Sequence, residues 1–251
     1  MNLIDTHCHY NSYAFRNVHK EIYKLNNNQN VSKVINIGID YNTSKEAIML
    51  GNEYSKLYTA LGIHPLCGGD VNDLEYLYNN YDNSKIVAIG EVGIDTECYD
   101  ISMICNLINS IYLANKLKLP LIIHANTTKG SDINANKMVV EVLKRNTPKY
   151  GFVFHSFQPD LDVIVDILIL GGYIGIGPMI LKKNAKKSLE IVKNIDINRL
   201  LIETDYSYLT QNPDVDGVSI FNKICDLRNA DKDIMSKQLD ENAKRLFYKL
   251  K

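Results

Sequence analysis

"ISMICNLINSIYLANKLKLPLIIHA", residues 101–125, carries the pattern that decides the fold. Ile104, Leu107, Ile108 and Ile111 recur at helical spacing and form one apolar face, which predicts a helix over 101–118. Pro120 stops that helix, because the residue before a proline is pushed toward extended backbone. A run apolar on both faces follows and closes on a polar residue, His124. Such a run fits a strand of a parallel sheet covered by helices, rather than a half-exposed strand.

The same unit recurs in both directions. Runs of this kind are "LIDTH" (3–7), "KVINIGI" (33–39), "LYTALGI" (57–63), "IVAIGEV" (86–92), "LPLIIHA" (119–125), "GFVFHSF" (151–157), "GYIGIG" (172–177) and "RLLIET" (199–204). Helical segments separate them, and a last one places Met235, Leu239, Ala243 and Leu246 to cover a barrel wall. "NNNQN" (26–30) reads as a polar loop at a helix end, and no linker or repeat breaks the alternation. Eight strand–helix units in 251 residues predict an α/β fold, a single (β/α)8 TIM barrel spanning 1–251 as one domain. A doubly wound open sheet is the competitor, and the lack of a G-x-G-x-x-G after the first strand counts against it.

Composition sets outer bounds. The chain is 45% hydrophobic and 23% charged with a formal net charge of −1, so it has material for a full core and no global bias toward polyanions. Cys8, Cys67, Cys98, Cys105 and Cys225 are scattered, odd in number and without C-x-x-C spacing, as expected of free thiols in a reducing compartment. "MNLIDTHCHY" has no secretory pattern, and a cytoplasmic location is expected. The apolar stretch 163–181 imitates a membrane span, but its four glycines and Pro178 predict a helix ending at Gly171 and then a buried strand, with no membrane partner.

Chemistry in such barrels gathers at the C-terminal strand ends. His7 and His9 end the first strand and, two residues apart, point to one side while Cys8 points away. His64 ends the third, Glu91 the fourth, His124 the fifth, His155 the sixth and Asp205 the eighth. Singly, each has a plain reading as a polar strand end or a helix cap. His19, within a helical segment, reads as surface. Together the strand-end residues converge on one pocket and predict a metal site. Four histidines and two carboxylates exceed one tetrahedral site and suit one to two divalent ions such as zinc, manganese, iron or magnesium, a shared carboxylate bridging a pair.

"DTHCH", "ALGIHP" (60–65), "AIGEVGID" (88–95), "LPLIIHA", "FHSF" and "IETDYSYL" (202–209), ended by "NAKRLF" (242–247), resemble the TatD family of metal-dependent deoxyribonucleases among the amidohydrolase-like barrels. The resemblance runs in order over the whole chain. It implies a cytosolic hydrolase of DNA ends, often a 3′-to-5′ exonuclease on single strands. It also implies one ion on His7, His9, Glu91 and Asp205 and a second on Glu91, His124 and His155, with Glu91 bridging. Asp205 would take the proton of the attacking water, and His64 would contact the scissile phosphate.

Three positions depart from the family pattern. Asn126 stands where the family carries an arginine facing phosphate, "FQPD" with Pro159 replaces F-S-G, and Ser207 replaces a proline. An asparagine cannot make arginine's bidentate charged contact. Lys182, Lys183, Lys186 and Lys187, near a helix start after the seventh strand, would offset that loss; their plainer reading is a solvated face, and they are not counted among the site residues. The leading expectation is a DNase. One rival keeps the metals and hydrolyses a carboxylic ester or amide, such as an aminoacyl-tRNA ester; the other is a non-catalytic barrel, which retention of the whole donor set disfavours.

Overall fold

The computed structural model describes residues 2–12, 15–158, 160–209 and 213–250. The chain runs β1 (Leu3–Cys8), α1 (Val18–Asn27), β2 (Val31–Ile37), α2 (Tyr41–Glu53), β3 (Leu57–Leu61), α3 (Val71–Asn80), β4 (Ile86–Asp95), α4 (Ser102–Leu117), β5 (Leu121–Asn126), α5 (Ala135–Arg145), β6 (Phe152–Phe154), α6 (Leu161–Ile169), β7 (Tyr173–Ile176), α7 (Lys186–Asn194), β8 (Leu200–Ile202), α8 (Pro213–Arg228) and α9 (Lys232–Leu246). Strands β1 to β8 pair in sequence order, and every ladder is parallel. This is the predicted (β/α)8 barrel.

Among the described residues no ladder joins β8 to β1; a seam of individual bonds does. Thr6 Oγ1 donates to the Ile202 carbonyl (3.0 Å), and Asp5 accepts from the Thr204 amide (3.0 Å) and hydroxyl (2.6 Å). The Asp205 amide donates to the His7 carbonyl (2.9 Å), and Cys8 bridges to Tyr206. The seam therefore sets residues from the two far ends of the chain side by side.

Each strand contributes to one apolar cluster, with Ile4, Ile37, Tyr58, Val87, Ile122, Val153, Tyr173 and Leu201 among its members, joined by Leu246, Phe247 and Leu250 from the chain's last turns. A larger cluster fills the layer between strands and helices. In α4, Leu107 and Ile111 are buried, with Ile104 and Ile108 packed against them more shallowly. That helix ends at Leu117, three residues before Pro120, with Lys118 in the left-handed region (φ +58°) and the Leu119 amide donating back to Ala114. Met235, Leu239, Ala243 and Leu246 are all buried on α9, as their spacing predicts.

The stretch that imitates a span divides into most of α6, β7 and a 3-10 turn at Pro178–Leu181, with Gly171 at φ +82° between the first two. Among the described residues no helix is long and apolar enough to cross a membrane. His19 is exposed on α1, and the five cysteines are free, Cys8 and Cys225 buried.

The fourth strand differs from expectation. It does not end at Val92 but runs to Asp95, so Glu91 lies within it. Ile89 pairs with Leu121 and Val92 with Ile123, so β4 carries one extra residue there, a bulge that re-aims a side chain. Gly90 makes it possible: its φ is +140°, and a Cβ would collide with the backbone of Ile122.

Candidate metal centre

Five strand ends and the β4 bulge bring His7, His9, His64, Glu91, His124, His155 and Asp205 together; all but His64 and His124 are buried, and those two are partly so. Glu91 is the hub. Its Oε2 faces His7 Nε2 (3.4 Å) and His9 Nε2 (3.9 Å). Its Oε1 faces His124 Nδ1 (2.5 Å), His155 Nε2 (2.9 Å) and His64 Nε2 (3.8 Å). The two oxygens of one carboxylate thus serve different sets of imidazoles. Asp205 Oδ1 completes the first set, 3.4 Å from His9 Nε2 and 3.9 Å from His7 Nε2.

Among the described residues three groups have ligand atoms close enough to hold an ion: His7 with His9 and Asp205, His7 with Glu91 and His155, and His64 with Glu91 and His124, the atoms of each lying within 4.8 Å of one another. The donor chemistry fits a divalent cation. His9 Nδ1 lies 3.1 Å from the Ile37 carbonyl, which can only accept, so that nitrogen carries a proton and Nε2 is the nitrogen turned inward toward the carboxylates, where a cation would replace its proton. His7 Nε2 stands 3.1 Å from that nitrogen, and His7 Nδ1 is buried with no hydrogen-bond partner. Lone pairs and carboxylate oxygens facing one point are what hydrogen bonds alone satisfy poorly and a cation satisfies well.

Charge is balanced internally. Burial alone would raise the Glu91 carboxyl, but His155, His7 and His124 together hold it well below its usual range. Burial likewise opposes, and fails to prevent, the fall of Asp205 to about 2, driven by a hydrogen bond to His9 and the field of His155 and His7. Burial works against His155 too, yet Glu91 and Glu203 hold it well above its usual value. His7 is lowered by burial and by the nearby His155. Burial takes His64 down to about 4, so its ring is neutral. A divalent ion binding here competes with the imidazole protons, which makes its affinity pH-dependent.

Asp205 is held in an uncommon backbone conformation, φ +52°, with its amide on His7 and its carbonyl accepting from the Tyr208 and Leu209 amides (both 2.9 Å). Two further carboxylates escaped the sequence reading. Asp95 Oδ2 lies 2.9 Å from His124 Nε2, and Glu203 Oε1 lies 3.5 Å from His155 Nδ1 while also accepting from the Ser156 amide. The alternation Glu203, Thr204, Asp205 carried a signal for the second; nothing in the sequence extended the fourth strand as far as Asp95.

The departures fall in different places. Asn126 is turned onto Asp95. Gln158 bonds to Asn126, and Asp160 caps α6. Pro159 lies outside the described residues. Ser207 keeps its hydroxyl buried without a partner. All four lysines at 182, 183, 186 and 187 are exposed; Lys186 and Lys187 open α7, whose N-cap, Ala185, supplies no side-chain bond.

Comparison with known proteins gives the family. The family model for TatD-related DNases matches residues 4–248. The chain is 31% identical over 259 residues to YabD of Bacillus subtilis, described as an uncharacterized metal-dependent hydrolase, with 98% of each chain covered. It is 27% identical over 259 residues to YjjV of Escherichia coli, described in the same words, with 97% of each covered. The crystal structure of YjjV, a TatD homologue, matches with a TM-score of 0.85 at 26% identity over 98% of both chains. A TatD-family hydrolase of Entamoeba histolytica shares the fold, with a TM-score of 0.82 at 19% identity over 98% of both. A family model that matches all but the first three and last three residues, and a relative 31% identical over nearly the full length, place this parallel barrel in the TatD-related DNase family of metal-dependent hydrolases.

Proposed function

We propose that the protein is a deoxyribonuclease that hydrolyses phosphodiester bonds at the ends of single-stranded DNA, with one to two divalent ions, zinc, manganese or magnesium, held by His7, His9, Glu91, His124, His155 and Asp205. The observation that carries this reading is the division of Glu91, one oxygen toward His7 and His9 and the other toward His124 and His155. His7, His9, Glu91 and Asp205 would hold one ion, and Glu91, His124 and His155 the second. Divalent ions there supply Lewis acidity toward a phosphoryl oxygen and ease the deprotonation of a nearby water at neutral pH.

Asp205, with its carboxyl down at about 2, is ionised at neutral pH and stands ready to accept the proton of the attacking water. Its bond to the His7 backbone and its strained φ fix where that base sits. His64 Nδ1 accepts from the Leu66 amide (3.2 Å), so the neutral ring carries its proton on Nε2, the nitrogen facing the centre, and can donate to a phosphoryl oxygen. The exposed lysines support a polyanionic substrate. Lys186 and Lys187 occupy the first turn of α7, where positive charge meets the positive end of the helix and an anion relieves the conflict.

A second reading, hydrolysis of a carboxylic ester such as that of a charged tRNA, is favoured by one observation. Asn126 spends its amide on Asp95 and presents no positive charge to phosphate. Metal-loaded protein incubated with end-labelled single-stranded DNA, RNA and aminoacylated tRNA separates the two. A ladder of DNA shortened from the 3′ end is expected; intact DNA beside deacylated tRNA would transfer the assignment to the second reading.

A further inference from the structure

One line of hydrogen bonds runs from the backbone after β5 to the centre of the site. The Thr127 amide donates to Gln158 Oε1 (3.0 Å), and Gln158 Nε2 donates to Asn126 Oδ1. Asn126 Nδ2 donates to both oxygens of Asp95, at 3.2 and 3.1 Å. Asp95 also takes the Glu97 amide (2.8 Å) and faces His124 Nε2 at 2.9 Å, and the opposite nitrogen, Nδ1, faces Glu91.

The direction of this chain is fixed at both ends. A backbone N–H can only donate, so the oxygen of Gln158 must face Thr127 and its NH2 must face Asn126. An ionised carboxylate can only accept, so Asn126 must turn its NH2 to Asp95 and its oxygen to Gln158. The two requirements agree. Asp95 in turn accepts the Nε2 proton of His124, so Nδ1, which faces Glu91, is the nitrogen that gives up its proton to a divalent ion.

We propose that Gln158 and Asn126 are positioning residues: they lock Asp95, and through it the ring of His124, in the one orientation and tautomer that presents Nδ1 beside Glu91 to a divalent ion. His124 needs such a lock because it is only partly buried, and without Asp95 its ring can flip and exchange the two nitrogens. The residues that depart from the family pattern at 126 and 158 are accordingly coupled to each other, each amide being oriented by its neighbour. The proposal rests on His124 being an ion-holding residue.

The test is binding of Zn(II) alone, by competition with a chromophoric chelator, together with the visible spectrum of the Co(II)-loaded protein. Gln158→Glu keeps the acceptor for Thr127 and sets a charged acceptor against Asn126 Oδ1 in place of the donor, and Gln158→Met removes the donor without adding charge; Asn126→Ala breaks the chain at its middle. Each variant is expected to weaken, by about 10-fold or more, the same zinc equivalent that His124→Ala removes, and to alter the Co(II) bands of that equivalent. The double variant is expected to be no weaker than Asn126→Ala, since links of one chain are not additive. A purely structural role would lower the melting temperature of the metal-free protein and leave zinc affinity alone, which would overturn the proposal, as would additive losses. Wild-type protein that binds no zinc or cobalt overturns the ion-holding reading itself; wild-type binding with unchanged variants overturns only the positioning chain.

Discussion

Asp205 is the residue on which the proposed chemistry turns. Replacing it with asparagine keeps its shape and removes its capacity to take a proton, so kcat is expected to fall by about 10²- to 10⁴-fold while the circular dichroism spectrum stays that of wild type. A variant turning over near the wild-type rate would take Asp205 out of the mechanism. His155 faces only the Oε1 side of Glu91, so elemental analysis of His155→Ala should find one ion lost and the other largely kept; loss of both from folded protein would refute separate sites. Gly90 is a different case, because its left-handed φ and its contact with Ile122 leave no room for a side chain. Gly90→Ala should cost about 2 kcal/mol or more and misplace Glu91, read as a lower Tm together with weaker metal binding. The sequence made the donors legible because histidine and acid recurred where apolar runs stopped. It did not reveal Asp95 or Glu203 as their partners, since that depends on how far a strand continues and which way a ring faces. The bulge at Gly90 decides the first, and no local pattern encodes it.

Secondary elements were readable in proportion to how much of their pattern is local. The α4 stripe and Pro120 fixed one helix–strand junction almost to the residue, whereas β6 and β8 have only three paired residues each and were read too long at both ends. Ladder pairing, set by neighbours distant in sequence, trims such strands. The start of α7 is the element whose role is open to a direct measurement. Substituting glutamine at Lys182, Lys183, Lys186 and Lys187 should weaken binding of single-stranded DNA and flatten its dependence on salt, the log–log slope falling by up to about 3 through lost counterion release. Hydrolysis of a small phosphodiester should change little. Binding and salt slope equal to wild type would make the cluster a solvated helix face.

At the level of the entire barrel, the donors come from β1, the β4 bulge, β5, and the segments just after β3, β6 and β8, so an ion held among them ties together elements from both halves of the chain. A ligand that binds only the folded state at 100 times its Kd adds about 2.7 kcal/mol. Chelation is therefore expected to lower Tm by roughly 5–10 °C, with recovery on adding zinc; an unchanged Tm would argue that no ion is held. The seam between β8 and β1 has a consequence for how the protein comes into being. Asp5 meets Thr204 across 199 positions of sequence, and His7 and His9 meet Asp205 over a similar span. A ribosome-bound chain, or one cut short before Thr204, holds His7, His9 and Glu91 but lacks Asp205 and the seam that sets it beside them. With Asp205 as the base proposed above, a product ending before it would keep most of the ion-holding side chains and lack the group that takes the water's proton.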